Sequence, residues 1–308
     1  MRQPWTGCGT ALVTPFTKSG ALDEVAVRRL ARRQIEGGVH FLVPCGTTGE
    51  NPTLSDDERV RVVEIVVDEA KGRVPVLAGA GGYDTREIIH LAACMERLRV
   101  DGLLSVTPYY NKPTPDGLYQ HFRAIAESTS LPIVLYNVPG RTGCNIDVAT
   151  LVKLAAIQNI VGVKEASGNM TQMCEICRAV PPDFIVLSGD DALTLPLMAI
   201  GGRGVISVAA NEVPGEMARM VETAERGDFS AARALHAKLL PLMLVNFVES
   251  NPVPVKAAMA AMGVIDEVYR LPMVSPRPES RARIMSVLGE LGLLGHLEQD
   301  RPIGKVRA

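Results

Sequence analysis

The sequence predicts an α/β fold, a closed (β/α)8 TIM barrel followed by a C-terminal helical extension. Three observations predict it. Short, almost wholly apolar segments recur eight times with amphipathic stretches between them, up to about Asn211. The segments are continuous apolar runs rather than alternating ones, as parallel strands covered on both faces require. The length, 308 residues, matches one barrel of about 250 residues plus an appendage.

The expected strands run, in order, over residues 9–16, 41–46, 74–79, 102–109, 132–138, 160–165, 184–189 and 204–209. Helix signals fill the gaps. Ser55-Asp56-Asp57-Glu58 reads as a capping box opening a valine-rich helix. Thr114-Pro115 sets a cap residue before a proline in the first turn. Gly37-Gly38 and Gly201-Gly202 stop the helices that precede them. Beyond Asn211 the pattern is helical only, over 216–226, 229–249, 255–262 and 280–294. The expected organisation is therefore a barrel over 1–211, closed by the helix that follows, and an extension over 212–308 packed on it. A doubly wound sheet would want G-x-G-x-x-G after the first strand. The nearest stretch, Gly79-Ala80-Gly81-Gly82-Tyr83-Asp84, ends in Asp and follows a later strand.

Composition narrows the function. Hydrophobic residues make up 47%, enough for a large core, and the formal charge is −2. No basic stripe points to nucleic acid or a membrane surface, and no apolar run approaches the ~18 residues that span a bilayer. The start, Met1-Arg2-Gln3-Pro4-Trp5, lacks the apolar core of a signal peptide, so a soluble, cytoplasmic protein is expected. Cys174-Glu175-Ile176-Cys177 has C-x-x-C spacing but no second ligand pair and no thioredoxin-like context. The five histidines are isolated. No metal is expected.

In such a barrel the chemistry sits at the C-terminal strand ends. There Lys164 is out of place, a lysine inside the apolar strand Ile160-Val161-Gly162-Val163-Lys164-Glu165. Burying an unpaired ammonium is costly, which favours the free amine, a nucleophile toward carbonyls. A structural ion pair is the competing reading, but Glu165 points to the opposite face. Gly46-Thr47-Thr48-Gly49 offers backbone N–H groups and hydroxyls to a small carboxylate, or is a plain turn. Tyr136 can shuttle protons beside an amine, or is a satisfied core tyrosine. Arg141 can grip a second carboxylate, or is a solvated loop residue.

Taken with Thr107-Pro108-Tyr109-Tyr110-Asn111, Tyr136-Asn137-Val138-Pro139-Gly140-Arg141-Thr142, Gly162-Val163-Lys164-Glu165-Ala166-Ser167-Gly168 and Leu187-Ser188-Gly189-Asp190-Asp191, the sequence resembles the dihydrodipicolinate synthases. These 4-hydroxy-tetrahydrodipicolinate synthases are pyruvate-dependent class I aldolases of lysine and diaminopimelate biosynthesis. The resemblance spans essentially the whole chain, including Phe247-Val248-Glu249-Ser250-Asn251-Pro252-Val253-Pro254-Val255-Lys256. It implies condensation of pyruvate with L-aspartate 4-semialdehyde, with no cofactor beyond the imine itself. Lys164 then forms the Schiff base and Tyr136 is the general acid/base. Thr47 and Thr48 hold the pyruvate carboxylate, with Thr47 in the proton relay. Tyr110 is the relay tyrosine that reaches a neighbouring subunit, and Arg141 grips the semialdehyde carboxylate. Gly189 and Ile206 line the pyruvate pocket. A homotetramer built as a dimer of dimers is implied.

Family members inhibited by lysine often carry histidines after the Thr-Thr turn and an asparagine after strand three. The matching positions here are Asp56, Arg59 and Tyr83, whereas Glu87 and Tyr109 match. Weak or absent lysine inhibition is therefore expected. The rivals are sister aldolases, such as N-acetylneuraminate lyase or 2-keto-3-deoxy sugar acid aldolase, which Arg141 with Thr48 disfavours. A pyridoxal-phosphate barrel would need a phosphate loop, and Gly201-Gly202-Arg203-Gly204 lies before strand eight rather than after it. A non-catalytic pyruvate-binding paralogue would be expected to lose part of the residue set.

Overall fold

A computed structural model describes residues 5–294, so Met1–Pro4 of the N-terminal stretch and the end of the extension lie outside the described residues. Eight parallel strands alternate with helices. The strands are β1 (Gly7–Ala11), β2 (Phe41–Val43), β3 (Leu77–Gly79), β4 (Gly102–Val106), β5 (Ile133–Asn137), β6 (Ile160–Glu165), β7 (Ile185–Ser188) and β8 (Gly204–Ser207). Their hydrogen-bonded order is β2-β1-β8-β7-β6-β5-β4-β3. A parallel bridge between Leu42 and Val76 joins the two end strands, and Leu42 N–H donates to Pro75 O at 3.0 Å. The sheet is thus closed into the expected barrel, which leaves no free edge.

All but β6 are shorter than the sequence expectation, which β6 matches at both ends. Proline explains part of the trimming, because it has no N–H for the ladder. Pro44 follows directly on β2, and Cys45 then turns into the left-handed region at φ 57°. β1 starts two residues early and stops at Ala11, ahead of Pro15. The chain freed beyond each strand forms the loops of the C-terminal face.

The helices between strands are α1 (Glu24–Glu36), α2 (Asp56–Ala70), α3 (Thr85–Arg97), α4 (Pro115–Glu127), α5 (Pro139–Thr142), α6 (Val148–Ala155), α7 (Met170–Ala179) and α8 (Thr194–Ala199). The Ser55–Glu58 capping box forms with both reciprocal hydrogen bonds, and Thr114 caps α4 with Pro115 in its first turn. Cys174 and Cys177 lie on α7, free. Gly201 and Gly204 take positive φ, and a Cβ at Gly204 would meet Gly7 O at 1.9 Å, so this stretch lets β8 approach β1.

Side chains pointing inward, among them Phe41, Leu77, Leu104, Tyr136, Leu187 and Ile206, fill the barrel interior. Those pointing outward meet the helices in a second, larger core. After β8 come α9 (Pro214–Glu225), α10 (Phe229–Val245), α11 (Val253–Ala261) and α12 (Pro278–Glu290). Cys8 of β1 and Val205 of β8 share one buried cluster with residues of α9, α10, α11 and α12, so these helices pack onto the barrel as one body. Among the described residues no helix is long and apolar enough to cross a membrane.

Candidate active site

β5 and β6 run side by side with Tyr136 paired to Lys164. Alternation sends both side chains inward, and Lys164 Nζ stands 4.1 Å from the centroid of the Tyr136 ring. Glu165, the next residue, goes outward. Its carboxylate accepts from Asn137 Nδ2 at 2.9 Å and Ser167 N–H at 2.7 Å, so it is satisfied without Lys164. Lys164 is 4% exposed, and no carboxylate lies within ion-pair reach of it among the described residues.

A second buried lysine shows the contrast. Lys256 of α11 is fully buried, but its Nζ contacts Glu50 Oε1 at 2.5 Å and Thr14 O at 3.1 Å. Burial pulls its pKa down and Glu50 pulls it back up. Lys256 is committed to a carboxylate, whereas Lys164 is held against an aromatic face with its amine uncommitted.

Beside this pair lies a cavity of about 230 Å³, lined by Gly46, Thr47, Tyr136, Arg141 and Thr142 among others. Arg141 is the one charged group among its lining residues. The cavity therefore favours anions, and no acidic side chain opposes them. Cys45 also lines it, but burial pushes that thiol up to about 12 and leaves it protonated and unreactive. Thr47-Thr48-Gly49 forms a single 3-10 turn, entered through Cys45 at φ 57° and left through Glu50 at φ 53°. Two non-glycine residues in the left-handed region store strain around one turn, as functional loops often do.

The expected residues divide by position. Thr47, Tyr136 and Arg141 line the cavity, and Lys164 adjoins it across the Tyr136 ring. Gly189 makes room for the lysine. A Cβ there would meet Ala166 Cβ at 2.6 Å and Lys164 Cε at 3.0 Å. Ile206 is buried in the interior cluster that holds Tyr136. Thr48 is buried behind the turn, its hydroxyl oxygen accepting from Asn251 Nδ2 at 3.0 Å. Tyr110 stands apart, 94% exposed at φ 72°, and does not line the cavity. Two participants carried no role in the sequence reading. Thr142 lines the cavity, with its hydroxyl accepting from Thr107 at 3.1 Å. Asn251 touches both Thr48 and Arg141 from the far end of the chain. The conspicuous tail motif around Asn251 was the only signal for it.

A second, wider cleft of about 770 Å³ opens between α2 and α3, lined by Asp56, Arg59, Tyr83, Glu87 and Tyr109 among others. All five positions named from the sequence thus meet in one place. Arg59 pairs with Asp56 at 3.1 Å, and the Tyr83 and Tyr109 rings pack edge-on at 5.2 Å. Pro52, Gly81 and Tyr109 border both spaces.

A model of the dihydrodipicolinate synthetase family matches residues 4–291. The chain belongs to that family. The 4-hydroxy-tetrahydrodipicolinate synthase of Koribacter versatilis is 54% identical over 289 residues, covering 94% of this chain and 96% of that protein. The crystal structure of the Cyanidioschyzon merolae synthase with lysine bound is 40% identical, with a TM-score of 0.93, and covers 95% of this chain and all of that one. A structure from the characterisation of a monomeric dihydrodipicolinate synthase variant is 44% identical with a TM-score of 0.92, covering 94% and 97%. The family assignment thus rests on similarity along the whole barrel and its extension.

Proposed function

We propose that this chain is a 4-hydroxy-tetrahydrodipicolinate synthase, condensing pyruvate with L-aspartate 4-semialdehyde through an imine on Lys164. Family membership and the naming of relatives about half identical support the reaction. One observation carries the mechanism: Lys164 is a buried lysine with no carboxylate partner among the described residues, held on the Tyr136 ring at the edge of a cavity whose charged lining residue is Arg141. Lys164 Nζ adds to C2 of pyruvate and water leaves, giving an imine. Loss of a C3 proton gives an enamine, whose carbon attacks the aldehyde of the second substrate. Tyr136 is placed to carry the protons of imine formation and of the later cyclisation. The Thr47–Thr48 turn holds the pyruvate carboxylate, Arg141 that of the semialdehyde, and Gly189 and Ile206 shape the pyruvate side. No cofactor is needed, because the imine is itself the electron sink.

Tyr110 fits the relay only if it serves a neighbouring copy, because it projects into solvent from a strained backbone position. We therefore read the active unit as at least a dimer, and the assembly as a homotetramer. The chain divides into a barrel over 1–211, closed by α9, and an extension over 212–308. A cytoplasmic location suits two small substrates that each carry a carboxylate.

Borohydride reduction in saturating pyruvate, followed by peptide mapping, tests the mechanism. A pyruvate-derived adduct on Lys164 is expected, and Lys164→Ala should abolish both adduct and turnover. An unmodified Lys164 would remove the imine mechanism.

A further inference from the structure

The loop between α10 and α11 brings one residue from the extension to the site. Asn251 is buried, and it reaches two groups that approach the cavity from different strands. Its side-chain Nδ2 donates to Thr48 Oγ1 at 3.0 Å, across 203 positions of chain. Its backbone O accepts from Arg141 Nη2 at 3.1 Å. We propose that Asn251 is a positioning residue that sets the geometry of both carboxylate grips at once.

The argument is one of hydrogen-bond direction. A hydroxyl has one proton and two lone pairs. With a lone pair of Thr48 Oγ1 taken by the Asn251 amide, its proton points away from Asn251, and the turn that carries it is held in one orientation. On the other side, Arg141 spends one N–H on the Asn251 carbonyl, which anchors one corner of its guanidinium. Its remaining N–H groups stay free for a carboxylate. Asn251 needs no contact with substrate for this. The rest of its loop is held in place: Val253 N–H donates to Ser250 O at 3.0 Å, and the Tyr269 hydroxyl to Val253 O at 3.2 Å.

The two links are chemically separable, since one runs through the side chain and the other through the backbone. Asn251→Ala removes only the Thr48 link. It should raise the pyruvate KM by roughly ten-fold, the scale of one well-placed hydrogen bond. The kcat at saturating pyruvate and the KM of the second substrate should hold. Combined with Thr48→Val, the alanine change should add nothing further to the pyruvate KM, because it acts through that hydroxyl. Asn251→Asp tests the charge. It places a carboxylate between the two grips, reverses the Thr48 hydroxyl, and should weaken both substrates. Asn251→Ser, with a small hydroxyl in the same loop, guards against a folding failure of the alanine variant and should give a smaller rise in the same direction.

A buried asparagine with only a structural role would lower thermal stability, leave the pyruvate KM unmoved and add to Thr48→Val independently. That result overturns the proposal. The inference rests on Lys164 forming the pyruvate imine, so each variant is also trapped with borohydride across a pyruvate series. No adduct in the unaltered protein defeats the imine mechanism. An adduct in Asn251→Ala with unchanged pyruvate dependence defeats only the role of Asn251.

Discussion

Among the described residues, buried His121 of α4 has no charged partner: its Nδ1 meets the Thr85 hydroxyl at 2.9 Å, and Nε2 has no hydrogen-bond partner. Burial alone lowers its pKa from 6.5 to about 4. A histidine with its folded value depressed binds fewer protons folded than unfolded below pH 6.5. Stability is therefore lost as pH falls from about 6.5 toward 4. At about 1.4 kcal/mol for each pH unit of the gap, the full effect is of the order of 3 kcal/mol. Urea unfolding at pH 7 and pH 5 should show the unaltered protein losing more on acidification than His121→Asn, which keeps a polar group near Thr85. Equal losses would mean that His121 is not the titrating group. At this same scale the buried, inward position of Lys164 was legible, because a lysine directly after an apolar run within a strand stands out from sequence alone. Lys256 was not, since nothing in a helix reveals that its partner, Glu50, lies 206 positions away.

Local rules made several elements legible. The strand at 160–165, the capping box of α2 and the Thr-Pro start of α4 depend on neighbours in sequence, and they formed as read. Strand ends were overdrawn because apolar residues continue into the loops, where prolines and left-handed residues such as Cys45 end the ladder. What α2 does beyond its cap depends on tertiary partners. Glu58, the third residue of the helix, also pairs with Arg270 at 2.6 Å, and that guanidinium holds the carboxyl down at about 2. The neighbouring turn of α2 carries Arg59 and Asp56 into the cleft facing α3. The ammonium groups of a lysine molecule entering there would meet the Arg59 guanidinium, with Asp56 already paired at 3.1 Å. Like charges repel and a carboxylate in use has less to give, so millimolar lysine should change the initial rate little. Strong inhibition in a steady-state assay would show that Glu87 and Tyr109 suffice for binding. Where lysine leaves the unaltered protein's rate unchanged, Arg59→His should gain sensitivity, the outcome the charge argument expects.

At the scale of the molecule, the extension is fastened to the barrel through the segment next to the Thr47–Gly49 turn. Lys256 of α11 reaches Glu50 just beyond Gly49 and lies 4.4 Å over the Phe16 ring, while Arg270 N–H donates to the other Glu50 oxygen at 3.4 Å. Taking both charges out of water costs several kcal/mol each, and their attraction returns that only while both are present. Removing one partner leaves the other buried and uncompensated, so Lys256→Met or Glu50→Gln alone should cost about 3–5 kcal/mol. The double variant removes the charge problem and should recover much of this loss. Urea unfolding of the four proteins measures the coupling, and a double variant as unstable as the sum of the singles would show that the pair does not act as a unit. The unaltered protein should unfold in one transition, because the extension and barrel share a continuous buried cluster from Cys8 to Leu288. A stable double variant with a raised pyruvate KM would separate two jobs of the pair: holding the tail on, and holding the Thr47–Thr48 turn in register. The second follows from position. Glu50 directly follows Gly49, the last residue of that turn, and Asn251 lies five residues before Lys256. A slip of α11 would therefore pull on that turn from two sides, through Lys256 on Glu50 and through Asn251 on Thr48.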